Sequence, residues 1–175
     1  LAAQPMAALN TALFEHGIVI EAEKNSIADK PIHIIHVYNA AEPVFVQPRV
    51  LVIANKGSKL QVVESLLITG GSPVFINSVN ECYIAENAQT DHYVLQVTPP
   101  NVRWVNFNQT VQSANSLYNN YTYTLPGGSL FRNNVHLDLN GTNTESHLYG
   151  LYLTGPNQLT DNHTCVNHLY PHCFS

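Results

Sequence analysis

The chain has 175 residues, a formal net charge of −5 with neutral histidines, 45 % apolar residues and only 11 % charged ones. This length fits a single compact domain or one extended repeat unit. Its seven basic residues are scattered singly, which argues against a nucleic-acid-binding surface. No apolar run reaches the roughly 18 residues of a membrane-spanning helix. Twenty Asn and 22 Ser and Thr supply uncharged polar groups, so disorder driven by charge repulsion is excluded as well.

The cysteine content bears on the cellular compartment. Cys82, Cys165 and Cys173 are an odd number and make a poor disulfide framework, which suits a reducing environment. Leu1 to Ala8 have neither a basic stretch nor an apolar core long enough for a signal peptide. Together these features predict a cytoplasmic protein.

Residues 1–17 are predicted to form one short N-terminal amphipathic helix. Pro5 suits the first helical position, and Met6, Leu9 and Leu13 recur at helical spacing. Gly17 is typical of the residue just past a helix end. Because the end of a stacked repeat fold needs a cover, we expect this helix to cap the first coil.

From residue 18 to residue 175 the period of the sequence changes to that of β-strands. Short apolar or alternating runs are rich in Val, Ile, Tyr, Phe and Thr and are separated by Gly, Pro, Asn and Asp. The predicted strands are 17–21, 32–37, 49–54, 60–68, 74–84, 92–97, 103–111, 118–125, 130–139, 147–153 and 159–166. The sequence therefore predicts an all-β chain behind one helix.

The turn signals favour a parallel β-helix over a hairpin sandwich. Asn140-Gly141 is the one Asn-Gly or Asp-Gly pair of the kind that forms two-residue hairpin turns. By contrast, Gly127-Gly128, Thr142-Asn143 and Asn157-Gln158 recur at a step of 15 residues, as expected for a strand and a corner repeated twice per coil. Asparagine suits such corners because it tolerates a left-handed backbone, and stacked side-chain amides can bond from coil to coil.

The last predicted strands leave two questions open. Leu148, Leu151 and Leu153 are predicted to face inward, which requires a bend or bulge at Gly150. The sequence ends at Ser175 just after a strand, so either that edge meets a partner or the chain is a fragment.

The densest group of chemically active side chains lies near the C-terminus. We consider His163, Cys165, His168 and Cys173 as candidate metal ligands, because sulfur and imidazole are donors for zinc, iron and copper. Their spacing matches no closed Cys₂His₂ pattern, and His168 falls on the other strand face unless the chain turns. The favoured interpretation is packed imidazoles with inert thiols, and a Cys173 nucleophile with His168 as its base is a further alternative.

Carboxylates are spread singly along the predicted coils. Aligned across neighbouring coils, two of them could serve as the acid–base pair of a carbohydrate-active β-helix enzyme, with Arg103, Trp104 and Arg132 as candidate sugar contacts. Solvated carboxylates at the corners of the coils are the favoured interpretation. The residues concerned are Glu64, Glu81, Glu86, Asp91, Asp138, Glu145 and Asp161.

Two histidines lie close together in the first long predicted strand. His33 and His36 are three residues apart, so they are predicted to face opposite sides of that strand. They therefore cannot bind one metal ion together. Ordinary surface or core-filling histidines are the favoured interpretation.

Several motifs along the chain together form a specific set. They are Arg132-Asn133-Asn134, Leu139-Asn140-Gly141, Glu145 to Tyr152, Asp161-Asn162-His163-Thr164 and His168 to Ser175, with Pro31 to Ile34, Pro48 to Leu51 and Val79 to Glu81 upstream. These motifs resemble the SufB/SufD family, scaffold proteins of the SUF iron–sulfur cluster assembly machinery. The resemblance covers about residues 9–175, and its last motifs look more like SufD than SufB.

The resemblance implies a fold, a role and partners. The fold is a right-handed parallel β-helix, and the role is a non-enzymatic scaffold that pairs with a SufB-like homologous subunit. A SufC-like ATPase is expected to bind through a C-terminal segment that this sequence lacks. The Cys-Ser-His-Gly stretch that the family uses in cluster assembly is also expected to lie beyond Ser175. The sequence is therefore expected to be truncated. A homodimer through unpaired sheet edges is a further expectation. No firmly bound cofactor is expected, and iron or an iron–sulfur cluster is expected only transiently in the full complex.

Overall fold

The computed structural model describes residues 4–175 and confirms the predicted fold class, a parallel β-helix of about five turns with one short helix. No helix in this part of the chain is long and apolar enough to cross a membrane. The elements are α1 (Pro5–Leu13), β1 (Gly17–Ala22), β2 (Ile32–Asn39), β3 (Val44–Val46), β4 (Arg49–Ala54), β5 (Lys59–Thr69), β6 (Val74–Ile84), β7 (Gln89–Gln96), β8 (Val102–Gln112), β9 (Leu117–Thr124), β10 (Leu130–Leu139), β11 (Glu145–Tyr152) and β12 (Leu159–His168).

The strands form two sheets, which we call sheet A and sheet B. Sheet A has the order β1-β4-β6-β8-β10-β12, with β3 also beside β6, and sheet B has the order β11-β9-β7-β5-β2. After β4 the chain alternates between the sheets, and neighbouring strands are parallel. Stacked partners such as Ser78 and Asn106 are 28 residues apart. This distance is close to two of the predicted 15-residue steps, which confirms two strand-and-corner units per coil.

Asparagines at the corners explain much of the Asn excess. Asn25, Asn87, Asn115, Asn143 and Asn157 have φ between 56° and 60°, in the left-handed region that asparagine tolerates better than most residues. At one corner the Asn143 Nδ2 donates a hydrogen bond to Asn115 Oδ1 of the preceding coil at 3.2 Å. The predicted use of asparagine at corners and in coil-to-coil bonds is confirmed.

The predicted helical segment 1–17 is shorter in the structure, and its first three residues lie outside the described part. The helix α1 ends at Leu13, and Gly17 begins β1 instead of ending the helix. Ala7 packs with Val79 and Phe107 on the outer face of sheet A, and the buried Asn10 amide donates to two backbone carbonyls of the β-helix. The helix therefore covers a sheet face, and the predicted cap over the first coil is wrong, because these contacts anchor α1 to β6 and β8.

The predicted bulge at Gly150 is also wrong. The strand β11 keeps its register with β9 throughout, with Gly150 opposite Thr122. Leu148 faces inward, whereas Leu151 and Leu153 face outward and are about half exposed. The apolar run misled the prediction because the outer face of sheet B is itself apolar, so hydrophobicity alone does not mark the inward side.

The interior of the β-helix consists of two apolar clusters with a polar layer between them. Along β6, Ile76 belongs to one cluster and Cys82 to the other, while Ser78 and Asn80 lie between them and are buried. The same order appears along β5, where Val62 and Leu66 belong to different clusters and flank the buried Glu64. The polar layer therefore brings titratable side chains together inside the coils.

Candidate functional site

A buried carboxylate and imidazole form the centre of the polar layer. Strict alternation along β5 and β7 turns Glu64 and His92 inward, where their exposed fractions are 2 % and 0 %. Their side chains meet at 2.6 Å, between Glu64 Oε1 and His92 Nε2. On the other side of the carboxylate, His36 Nε2 lies 3.8 Å from Glu64 Oε2. One carboxylate therefore faces two imidazoles in the interior.

Burial and hydrogen bonding act in opposite directions on this pair. Burial alone raises the pKa of Glu64, but hydrogen bonds and positive charge from His36 and His92 outweigh it and lower the pKa to about 2. Burial alone lowers the pKa of His92, and the neighbouring Tyr118, Cys82 and Glu64 together raise it well above its usual value. The directions of both pKa shifts favour the charged form of Glu64 and the charged form of His92.

Side chains from both sheets surround the second ring nitrogen of His92. His92 Nδ1 lies 3.2 Å from the Tyr118 hydroxyl, 3.3 Å from Asn108 Nδ2 and 3.9 Å from Cys82 Sγ. The Tyr118 oxygen accepts hydrogen bonds from Asn108 Nδ2 and Asn120 Nδ2, both at 3.2 Å. We call this group the interior polar cluster; its members are His36, Glu64, Cys82, His92, Asn108, Tyr118 and Asn120.

The order of groups in the cluster is that of a thiol, a base and an orienting carboxylate. Cys82, His92 and Glu64 follow one another at 3.9 Å and 2.6 Å, an arrangement that cysteine enzymes use to activate a nucleophile. Here all three side chains are buried, and Cys82 has no exposed surface. The arrangement can hold a proton between Glu64 and His92 and link the two sheets, but a substrate reaches the thiol only if the coil opens.

Sequence reasoning missed this cluster and assigned Glu64 to a solvated corner, which is wrong. A signal was present, because Glu64 shares the inward parity of Val62 and Leu66 in an alternating strand. The predicted opposite orientation of the two histidines of β2 is confirmed. His33 Nε2 lies 2.8 Å from Ser65 Oγ on the outer face, while His36 faces Glu64 inside.

Four of the seven carboxylates considered for an acid–base pair lie in four different surroundings. Glu64 is inside the coils, and Glu81 pairs with Arg49 at 2.6 Å on the outer side of sheet A. Asp138 accepts hydrogen bonds from two neighbouring amide side chains of the same sheet. Glu145 lies 2.8 Å from a histidine at the start of β11. These four residues therefore do not supply the two facing carboxylates that a glycosidase needs.

The proposed sugar contacts are separated as well. Trp104 is buried in the core, where its Nε1 donates to Ser78 Oγ at 2.7 Å. Arg132 lies outside on β10, 3.5 Å from Asp161, and Arg103 lies on the outer side of β8 beside a surface groove. These three residues do not line one common groove.

The candidate metal ligands near the C-terminus do not converge. His163 and Cys165 share the outer face of β12 as predicted, His168 ends that strand, and Cys173 lies beyond it. Among residues 4–175, no group of three or more His, Cys, Asp or Glu is placed to hold a metal ion. Each of the four has its own polar neighbours: Asp161 Oδ1 for His163 (2.9 Å), Asn167 Oδ1 for Cys165 (3.7 Å) and Ser175 Oγ for His168 (3.0 Å). Cys173 Sγ lies 3.1 Å from the Tyr170 carbonyl and 3.2 Å from the Gly141 carbonyl. Metal binding by these four residues stays a prediction.

Comparison with known proteins identifies the family. The family model described as "SUF system FeS cluster assembly, SufBD core domain" matches residues 36–175. An iron–sulfur cluster assembly SufBD family protein of Synechocystis sp. is 26 % identical over 173 residues, an alignment that covers 94 % of this chain and 38 % of the relative. The chain thus spans well under half the length of that relative. Since the family model covers most of the chain and agrees with the parallel β-helix, the chain belongs to the SufBD family of iron–sulfur cluster assembly proteins.

Proposed function

We propose that this chain is the SufD-like β-helix of a non-enzymatic, cytoplasmic scaffold that pairs with a SufB-like subunit and serves a SufC-like ATPase in a SufBCD-type complex. The ATPase is proposed to bind through a segment beyond this sequence. Family membership supports the assembly role. The observation that carries the scaffold interpretation is the unbroken stacking of parallel strands in both sheets, because such a stack presents fixed, extended faces to a partner.

The distribution of chemistry also favours a scaffold over an enzyme. The best-formed constellation of titratable groups, the interior polar cluster, is buried within the coils. The outward carboxylates Glu81, Asp138 and Glu145 each have their own local partner. An enzyme needs its acid, base or nucleophile within reach of a bound substrate, whereas a scaffold needs only a stable shape.

The test is reconstitution with the proposed partners. Full-length protein containing this chain is expected to co-purify with a SufB-like subunit and a SufC-like ATPase at micromolar concentration and to hydrolyse no polysaccharide by itself. A mixture in which the three proteins elute separately contradicts the scaffold role. Polysaccharide cleavage by the isolated chain contradicts the non-enzymatic assignment.

We further propose that iron or an iron–sulfur cluster contacts this chain only transiently, as cargo of the complex. Anaerobic reconstitution with iron and sulfide, followed by metal and sulfide analysis, tests the C-terminal candidates directly. If these residues bind iron, the variants His168→Ala and Cys173→Ala retain less than the unmodified chain. Equal retention by all three proteins rules out a direct ligand role for His168 and Cys173.

A further inference from the structure

A surface groove with a volume of about 600 Å³ crosses the outer side of sheet A near the start of its strands. Successive coils contribute equivalent positions to it, because Val44 lies opposite Val74 and Val74 lies opposite Val102. The groove therefore runs across the strands, from β3 over β6 and β8 to Ser129, which precedes β10. We call it the proline groove, and its principal lining residues are Pro43, Phe45, Pro73, Phe75, Pro100 and Arg103.

The walls of the proline groove are apolar and stiff. Phe45 lies opposite Phe75, and their rings are stacked with centroids 5.1 Å apart and 6° between the planes. The Phe45 side chain is nevertheless 48 % exposed. Pro43 and Pro73 are exposed as well and directly precede β3 and β6, where the proline ring fixes the backbone φ angle. Such walls lose little conformational entropy when a ligand binds, so the groove is pre-organised.

The groove also presents an arginine that has no anionic partner in the described part of the chain. The other two arginines of the protein pair with carboxylates, Arg49 with Glu81 at 2.6 Å and Arg132 with Asp161 at 3.5 Å. Among residues 4–175, no Asp or Glu pairs with the exposed Arg103, and none lines the groove. The guanidinium donors of Arg103 are therefore available to an anionic group of a ligand.

The position of this arginine gives the groove a polarity. Arg103 lies opposite Phe75 on the neighbouring strand, in the same outward row as the stacked rings. Glu42 precedes Pro43 at the other end, about two strand spacings or 10 Å from Arg103 along the sheet. Opposite charges attract more strongly beside apolar protein groups than in bulk water. The groove therefore selects a ligand with a negative charge at the β8 end and an apolar body along the rest.

The length of the groove selects an extended segment. Its four strands span three spacings of about 4.8 Å, or roughly 14 Å. An extended chain of about four residues covers this length at about 3.3 Å per residue. Extended and proline-rich segments dock in grooves lined by aromatic side chains, because a segment that is already extended loses little conformational entropy on binding. A peptide of four or five residues thus matches the groove in length.

From these observations we propose that the proline groove binds an extended acidic segment of a partner protein. Apolar or proline side chains of the segment lie against the walls, and an aspartate or glutamate carboxylate accepts hydrogen bonds from Arg103. Arginine and aromatic side chains are the residues most often found at the energetic centre of interfaces. Binding at this groove goes beyond the proposed assembly role, because it requires only residues of this chain and does not depend on which subunits the scaffold assembles.

The charge contact is tested by surface plasmon resonance with immobilised full-length protein and the capped peptide acetyl-Leu-Pro-Leu-Glu-amide, whose glutamate carries its only charge. The reversed peptide acetyl-Glu-Leu-Pro-Leu-amide covers the opposite chain direction, and the tighter of the two is used. We expect a Kd of about 1 mM or below, and Arg103→Gln is expected to raise it about tenfold. The matched control is Arg132→Gln, which removes a charge that already pairs with Asp161 and is expected to leave the Kd unchanged.

A peptide with glutamine in place of glutamate separates a direct contact from an indirect effect. It is expected to bind the wild type about tenfold more weakly than the glutamate peptide, and to bind Arg103→Gln as well as it binds the wild type, because carboxylate and guanidinium are the two halves of one contact. Equal binding of the two peptides by the wild type overturns the proposal, and so does an absence of binding. Inorganic phosphate that binds as tightly as the glutamate peptide, with the same dependence on Arg103, identifies a small-anion site and overturns it too.

The apolar walls are tested with Phe45→Ser and the same two peptides. This change is expected to raise the Kd of the glutamate and glutamine peptides by the same factor, about fivefold, because the ring buries apolar surface whatever the charge of the peptide. The control is Tyr83→Ser, which removes an equally exposed ring near the far end of β6 and is expected to have no effect. If Phe45→Ser binds both peptides as the control does, the segment does not lie along the groove and the proposal is overturned.

Discussion

Replacing Glu64 by Gln keeps the shape of the side chain and removes the negative charge that faces His92 at 2.6 Å. Loss of one partner of a buried ion pair leaves the other charge uncompensated, which typically costs about 3–5 kcal/mol. His92 can limit this cost by releasing its proton. We therefore expect Glu64→Gln to lower the free energy of unfolding by about 3 kcal/mol at pH 5.5 and to lower the pKa of His92.

The pH dependence of wild-type stability follows from the directions of the two pKa shifts. Glu64 has its pKa lowered from 4.5 to about 2 on folding, so its contribution is present above pH 4.5 and is lost as the pH falls toward 2. The full effect is about 3 kcal/mol, of which about 2 kcal/mol is lost by pH 3. His92 has its pKa raised, so its contribution is complete below pH 6.5 and is lost as the pH rises. The pair stabilises the fold most between about pH 4.5 and 6.5.

Urea unfolding at pH 3, 5.5 and 8 measures these effects. Between pH 5.5 and pH 3, Glu64→Gln is expected to lose about 2 kcal/mol less stability than the wild type, because the titrating carboxyl is gone. The control is Glu86→Gln, which removes an exposed carboxylate 2.7 Å from Lys56 and is expected to leave the profile close to that of the wild type. If the free energy of unfolding of Glu64→Gln falls between pH 5.5 and pH 3 by as much as that of the wild type, the interior pair is not charged and the reasoning is refuted.

Three further outcomes test the packing around the polar layer. Tyr118→Phe removes the hydroxyl on which three side chains converge and is expected to lower the free energy of unfolding by about 1–3 kcal/mol in urea titrations. In thiol titration of the native chain, Cys165 is expected to react at once because it is exposed, while buried Cys82 reacts only on unfolding. Gly141→Ala is expected to lower the melting temperature strongly, because a Cβ at this corner collides with the backbone of the preceding coil, whereas Gly71→Ala meets open space and is expected to have little effect.

The sequence predicts the architecture well because the signals of a β-helix are local and repeated. Alternating strands, a coil of two strand-and-corner units and corner asparagines with left-handed backbone all appear in the structure as expected, including Asn143 and Asn157. The three-residue strand β3 was not predicted, because Val44–Val46 is too short to show a period. The position of α1 also escaped prediction, since its contacts depend on buried groups such as Asn10, whose polar side chain gives no apolar signal.

The candidate site was less predictable than the fold. In the sequence, Glu64 and His92 are 28 residues apart, and only the stacking of β5 on β7 brings them together. Their inward parity was readable, but a carboxylate on the apolar side of a strand is rare enough that a surface position was the better expectation. The C-terminal His and Cys residues are close in sequence, and yet each has a different polar partner and they do not converge on one site. Proximity along the chain is a poor guide to a site in a fold whose contacts are made between coils.

The polar layer also helps to fix the register between neighbouring strands, which the alternation of apolar and polar residues fixes only in part. A slip of one residue between neighbouring strands moves every apolar side chain to the wrong face, so alternation already excludes it. A slip of two residues keeps the parity and would cost little in a purely apolar core. In the native register Glu64 lies opposite Val94, and the slip that moves it away from His92 would set it opposite Gln96. His92 would then lie opposite Leu60 without its carboxylate, at a cost of several kcal/mol. On sheet A, the row of Asn106, Asn133 and Asn162 adds polar side chains to the same layer, with Asn133 Nδ2 donating to Asn162 Oδ1 at 2.8 Å. The proposed scaffold role depends on this register, because each slipped strand would displace its outward side chains by about 7 Å and change the surface presented to a partner.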